Sequence, residues 1–179
     1  MLLSLDISTS CTGFCIFNSQ NELELISYID LSNHIDFYEK SKEIKRVMNE
    51  INKDYKIKYI AVEENLQAFR PGLSSAKTLM TLAQFNGTVR WICHEIFGLR
   101  AEAINVNSAR KTVNLKIDKK DKSKTTKEKV LEWVTLDNPE IEWPTKLVKS
   151  GRNKGQVKRV DACYDMADAY VIGRSFLMT

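Results

Sequence analysis

The chain has 179 residues, 43% of them hydrophobic and 28% charged, with a formal net charge of +4. That is enough chain to bury a sizeable core, and the composition excludes a disordered or fibrous protein. No apolar run reaches the roughly 20 residues of a membrane-spanning helix, and the opening stretch meets Asp6 at once without a basic secretory lead, so a single cytoplasmic domain over 1–179 is expected.

In chain order, the short apolar run Leu2 to Ile7 predicts a buried strand. Thr12 to Phe17 and Leu23 to Ile29 suit two more strands, and the short links make the three an antiparallel meander. Phe37, Ile44, Val47, Met48 and Ile51 recur at helical spacing and predict a helix over 35–52. A strand is expected over 57–63, then a loop over 65–75 marked by Pro71 and Gly72, with Ser74 or Ser75 able to cap a long helix. That helix carries Ala76, Leu79, Met80, Ala83, Phe85, Val89, Ile92, Cys93 and Ile96 and stops at Gly98. A short strand over 101–106 and one or two helical turns over 108–114 come next. Beyond them lie a lysine-rich loop at about 116–126, a helix over 127–135, an irregular or hairpin stretch over 138–160, and a last helix over 161–176. This order predicts an α/β fold with a mixed sheet between helices.

The positive charge is uneven. Seven lysines face three acids between Lys116 and Lys129, and six Lys or Arg face none between Lys146 and Arg159. Clustering of that kind is the footprint of a phosphate-backbone partner. Cys11, Cys15, Cys93 and Cys163 lack a CxxC spacing and read as reduced core residues.

The acids carry the chemistry. Mg²⁺ takes hard oxygen ligands, and two such ions about 4 Å apart can clamp the attacking and leaving oxygens of a phosphodiester displacement. Asp6 ends the first strand beside the small Ser8, Thr9, Ser10 and Gly13, which leave room for a phosphate. Glu63 and Glu64 end the fourth strand, and being adjacent only one of them can face a site. Asp165 and Asp168 are three apart on one helix face, and Asp161 lies four residues before Asp165. Carboxylates so placed repel one another, and a cation relieves the cost. Asp161 also reads as a helix N-cap or first-turn residue.

Four segments together resemble the RuvC family of Holliday junction resolvases, on the RNase H-like (retroviral integrase) fold. They are Leu5-Asp6-Ile7-Ser8 through Thr12-Gly13, then Ala61-Val62-Glu63, then Leu82-Ala83-Gln84-Phe85-Asn86-Gly87, and finally Asp165-Met166-Ala167-Asp168-Ala169. The resemblance implies a mixed five-stranded sheet flanked by helices and a homodimer with the long helix over 76–96 at or near its interface. It implies a crossover junction endodeoxyribonuclease that cuts opposed strands of a four-way junction with Mg²⁺, or Mn²⁺ in its place, using two ions per site. It selects Glu63 over Glu64, with Asp6, Glu63, Asp165 and Asp168 as catalytic ligands, Asp161 as a further candidate, and Asp6 bridging the ions. Hydrolysis by activated water would leave a 5′-phosphate and a 3′-hydroxyl.

Two departures bear on DNA binding. Leu66 stands where bacterial members carry an aromatic after the catalytic Glu, so Phe69 and Arg70 are expected at the branch point. The stretch at about 143–160 is longer and more basic than in bacterial members and reads as an added DNA-contacting loop, in keeping with a phage or viral relative. Lys119, Lys120, Lys122, Lys124, Arg152, Lys154, Lys158 and Arg159 are expected on phosphates. The alternatives are an RNase H or flap nuclease on the same fold, and a non-catalytic branched-DNA-binding protein.

Overall fold

Three strands, β1 (Leu2–Ile7), β2 (Cys11–Phe17) and β3 (Leu23–Asp30), form the antiparallel meander in the computed structural model, which describes residues 1–64, 76–118 and 121–179. The chain then enters α1 (Phe37–Asp54), two residues later than the periodicity predicts. The shift has a local cause: the Asp36 side chain accepts from Glu39 N at 2.8 Å and so takes the N-cap position. Then come β4 (Tyr59–Glu63), α2 (Ala76–Phe97) and β5 (Glu102–Ile104). The expected loop at 65–75 and its Ser74 or Ser75 cap lie outside the described residues.

The strand β5 is shorter than predicted because Asn105 caps α3 (Val106–Thr112), its side chain accepting from the backbone of Asn107 and Ser108. A reciprocal capping box between Thr125 and Glu128 starts α4 (Thr126–Asp137). The stretch before the last helix is a two-stranded hairpin, β6 (Thr145–Leu147) with β7 (Val157–Arg159), and α5 (Ala162–Leu177) closes the chain.

The main sheet runs β3-β2-β1-β4-β5, with β1–β4 and β4–β5 parallel and the other pairs antiparallel. Both its faces are buried, and strand alternation divides the core in two. Leu3, Leu5, Ile7, Phe14, Ile16, Ile60 and Val62 pack toward α1 and α2. Leu2, Cys15, Phe17 and Ala61 pack toward α3, α4 and α5. All four cysteines are buried and free. Among the described residues no helix is long and apolar enough to cross a membrane.

The last helix lies unusually close to the sheet. Ser4 Oγ donates to the Ala169 carbonyl at 2.8 Å. A Cβ on Gly13 would run into the Asp165 backbone, and one on Gly173 would run into the Phe17 ring. Small residues at Ser4, Gly13 and Gly173 therefore let α5 lie directly on β1 and β2, which fixes where its acids sit.

Candidate active site

Asp6 shares the α5 side of β1 with Leu2 and Ser4, because its side chain alternates in step with theirs. On β4 the same alternation puts Ala61 and Glu63 together, opposite Ile60 and Val62. Parallel pairing ends at Leu5 and Val62, one residue before Asp6 and Glu63. The two acids are thus neighbours at the carboxyl ends of adjacent parallel strands. Asp165 and Asp168 reach the same place from the face of α5 above Gly13. All four line one cleft of about 270 Å³.

Two cations complete the cleft. Arg110, on α3, pairs with Asp168 at 3.0 Å, and Lys127, on α4, pairs with Asp165 at 3.4 Å. Asn86, buried on α2, also lines the cleft. The composition and periodicity of the chain do not single out these three; Lys127 is only one of seven lysines in its cluster, and Arg110 lies in a short helix without a periodic pattern. Glu64 lines the cleft as well, but accepts from Asn105 Nδ2 at 3.1 Å.

The electrostatics are those of an excess of buried negative charge. Burial, then the charges of Glu63 and Asp168, hold the Asp6 carboxyl well above the usual carboxylate range. Burial also raises Glu63 and Asp168, the latter despite Arg110 beside it. Burial alone would lower Lys127, but the charges of Asp165, Asp168 and Asp6 push it up. Among the described residues Arg110 Nε is buried without a hydrogen-bond partner.

Asp161, the further candidate, lies apart from the cleft. It occupies the N-cap position of α5 with no side-chain capping bond. Its side chain is 88% exposed and 3.6 Å from Lys146 Nζ. It does not line the cleft of Asp165 and Asp168 but the groove beside the hairpin, at the first turn of α5.

The expected DNA contacts divide into three groups. Phe69, Arg70, Lys119 and Lys120 lie outside the described residues. Lys122, Arg152 and Lys154 are exposed, the last two in the hairpin turn. Lys158 and Arg159 line a groove between the hairpin, α4 and α5 together with Lys124. Lys124 also pairs with Glu132 at 2.7 Å, and Lys129 with Asp121 at 3.0 Å. Part of the lysine cluster is thus neutralised within the fold. A groove of about 700 Å³ between α1 and α2 has Phe37, Tyr38 and Trp91 in its lining and, among the described residues, no charged side chain.

No protein-family model and no curated protein sequence matches the chain. Solved structures do. A Thermus thermophilus RuvC in complex with a Holliday junction substrate is similar with a TM-score of 0.65 at 14% identity, over 99% of this chain and 92% of that one. Another Thermus thermophilus RuvC structure gives 0.60 at 15% identity, over 99% and 93%. The yeast mitochondrial Holliday junction resolvase Ydc2 gives 0.55 at 14% identity, over 99% and 77%. These relatives are bacterial and mitochondrial and give no support to a phage or viral source. The mixed five-stranded sheet flanked by helices is the RNase H-like fold of the RuvC-type Holliday junction resolvases.

Proposed function

We propose that the chain is a divalent-metal-dependent endonuclease that resolves four-way and related branched DNA as a homodimer, each protomer cutting one strand. The observation that carries this reading is the cleft itself: four carboxylates and two cations converge from β1, β4, α3, α4 and α5 at the ends of two parallel strands. The fold supports it, since one structure of similar fold is bound to a Holliday junction substrate.

Asp6, Glu63, Asp165 and Asp168 are the residues that would hold Mg²⁺ or Mn²⁺, two ions per site. The donor set fits: hard oxygens, two of the acids (Asp6 and Asp168) buried and two half-buried, and more negative than Arg110 and Lys127 can offset. Among the described residues no three acids already converge at ligand spacing; two of the four are paired to cations instead. Bound there, the metal would supply Lewis-acid charge at the phosphate and ease deprotonation of the attacking water. The protein does the rest. Asp6 would serve as a ligand in its ionised form, its proton passing to solvent. Arg110 and Lys127, now paired with Asp168 and Asp165, are the cations that would lie nearest a bound phosphate and offset charge developing on it. Lys40 Nζ donates to the Thr9 carbonyl at 2.6 Å and steadies the turn beside Asp6.

DNA would be held by Lys122, Lys124, Arg152, Lys154, Lys158 and Arg159, with Phe69, Arg70, Lys119 and Lys120 as further contacts. The groove between α1 and α2, with exposed Tyr38 and Trp91 in its lining, is the face on which a second copy would pair through the long helix. The test is cleavage, with Mg²⁺, of end-labelled four-way junctions, flaps, linear duplex and RNA–DNA hybrid. Paired symmetric nicks on the junction support the reading. Cutting of hybrid or flaps with the junction untouched moves the substrate to another nuclease class on this fold.

A further inference from the structure

The hairpin before α5 is a built arm. It pairs Thr145 with Arg159, Lys146 with Lys158 and Leu147 with Val157. Its turn is closed by the backbone: Val148 N donates to Gln156 O and Gly155 N to Val148 O, both at 2.9 Å. Gly151 and Gly155 adopt φ of 79° and 86°, a region glycine enters without steric cost. The arm is therefore preorganised.

Its two faces differ. Strand alternation puts Lys146 and Lys158 on one face and Leu147, Val157, Thr145 and Arg159 on the other. Lys146 reaches Asp161, so the first face turns toward the start of α5. On the second, Leu147 and Val157 stand side by side, 59% and 66% exposed. The Arg159 guanidinium lies 5.6 Å over the Trp143 ring at the foot of that face. No acid interrupts the six cations between Lys146 and Arg159.

We infer that Leu147 and Val157 form a wedge that packs against bases unstacked at the branch point of a DNA junction, with Lys149, Arg152 and Lys154 on the neighbouring phosphates. The wedge rests on the branched-DNA reading of the cleft. Charge selects the occupant: an apolar pair ringed by cations needs a partner that offers flat apolar surface inside a polyanion, and bases inside a phosphate backbone are that partner. Position agrees. Asp161, at the foot of the arm, is one helical turn from Asp165 in the cleft, so one junction could meet both the wedge and the cutting site.

The test uses the full chain with Ca²⁺ in place of Mg²⁺ and a four-way junction carrying 2-aminopurine at the branch. Wild type is expected to raise the fluorescence on binding. The double variant L147S/V157S should lose that rise and bind the junction about 10- to 100-fold more weakly, the range for losing the burial of one aliphatic side chain, with duplex affinity unchanged. The conservative pair L147M/V157I should keep the rise. Both positions are exposed, so thermal melts should match wild type. A full rise with the serine pair overturns the wedge, as does loss of duplex and junction binding alike. A change in sedimentation with the rise intact would make this face a contact between copies instead. If wild type binds the junction with no rise, the wedge alone fails. If it does not bind the junction, the branched-DNA reading fails and takes the wedge with it.

Discussion

Gly13 faces Asp6 across the β1–β2 ladder and abuts the Asp165 backbone on α5. One residue without a side chain thus sets the spacing between the first acid of the site and the third. Gly13→Ala is expected to destabilise the protein by roughly 1–3 kcal/mol, because the new methyl meets backbone that cannot rotate away. The melting temperature should fall by several degrees, and cleavage should fall further than the folded fraction does, since Asp165 is pushed from Asp6. A variant as stable and as active as wild type would show that α5 is not held against the sheet at this point.

The raised Asp6 carboxyl makes a pH prediction for the metal-free protein. Between its ordinary value and its raised folded value, the folded state holds a proton that the unfolded chain has released. Stability from this group is therefore complete below the ordinary value and is lost as pH rises through the folded one. Asparagine has no such dependence. In EDTA, Asp6→Asn should melt close to wild type at about pH 4 and clearly above it at about pH 8. Adding Mg²⁺ should narrow the gap at the higher pH by stabilising wild type. Parallel melting curves at all pH values would contradict the buried, uncompensated Asp6.

Arg110 is nearly buried against Asp168, with side-chain exposures of 17% and 8%. Arg110→Ala removes one partner of a buried pair and leaves the other in a cleft already too negative. The expected loss is roughly 3 kcal/mol in EDTA by denaturant unfolding, with partial recovery in Mg²⁺. Lys127, more than half exposed, should cost much less stability on change to Ala while still slowing cleavage. Equal destabilisation by the two would mean that burial does not govern these pairs.

Arg152 and Lys154 project from the hairpin turn into solvent. If both sit on phosphates, the double alanine variant should lower the slope of log affinity against log salt by about two and weaken duplex and junction binding alike. An unchanged slope would remove the turn from the DNA path.

Much of the fold and of the cleft is legible in the sequence. The meander, the long helix and the final helix follow from apolar periodicity, and Asp6, Asp165 and Asp168 stand out as acids inside apolar segments. The choice of Glu63 is also present in the sequence: Ala61 and Glu63 alternate with Ile60 and Val62, and burial of both sheet faces hides the pattern by making every neighbour apolar. The helix starts differ from periodicity by one or two residues after Asp36, Asn105 and Thr125, because a capping side chain decides them. Asp161 falls outside the cleft: at the exposed start of α5 its side chain turns to solvent beside Lys146, a contact with the hairpin that helical spacing does not encode. Arg110 and Lys127 join the site through packing of α3 and α4 against α5, a relation that no local spacing encodes.

Whether these four acids make a metal-dependent cutting site for branched DNA is decided by comparing wild type and Asp6→Asn on an end-labelled four-way junction, with Mg²⁺ and with EDTA, measuring cleavage and binding on the same samples. Wild type should give paired symmetric nicks with Mg²⁺ alone; Asp6→Asn should give none while binding the junction at least as tightly. Cleavage by Asp6→Asn at the wild-type rate, or by wild type in EDTA, would contradict such a site.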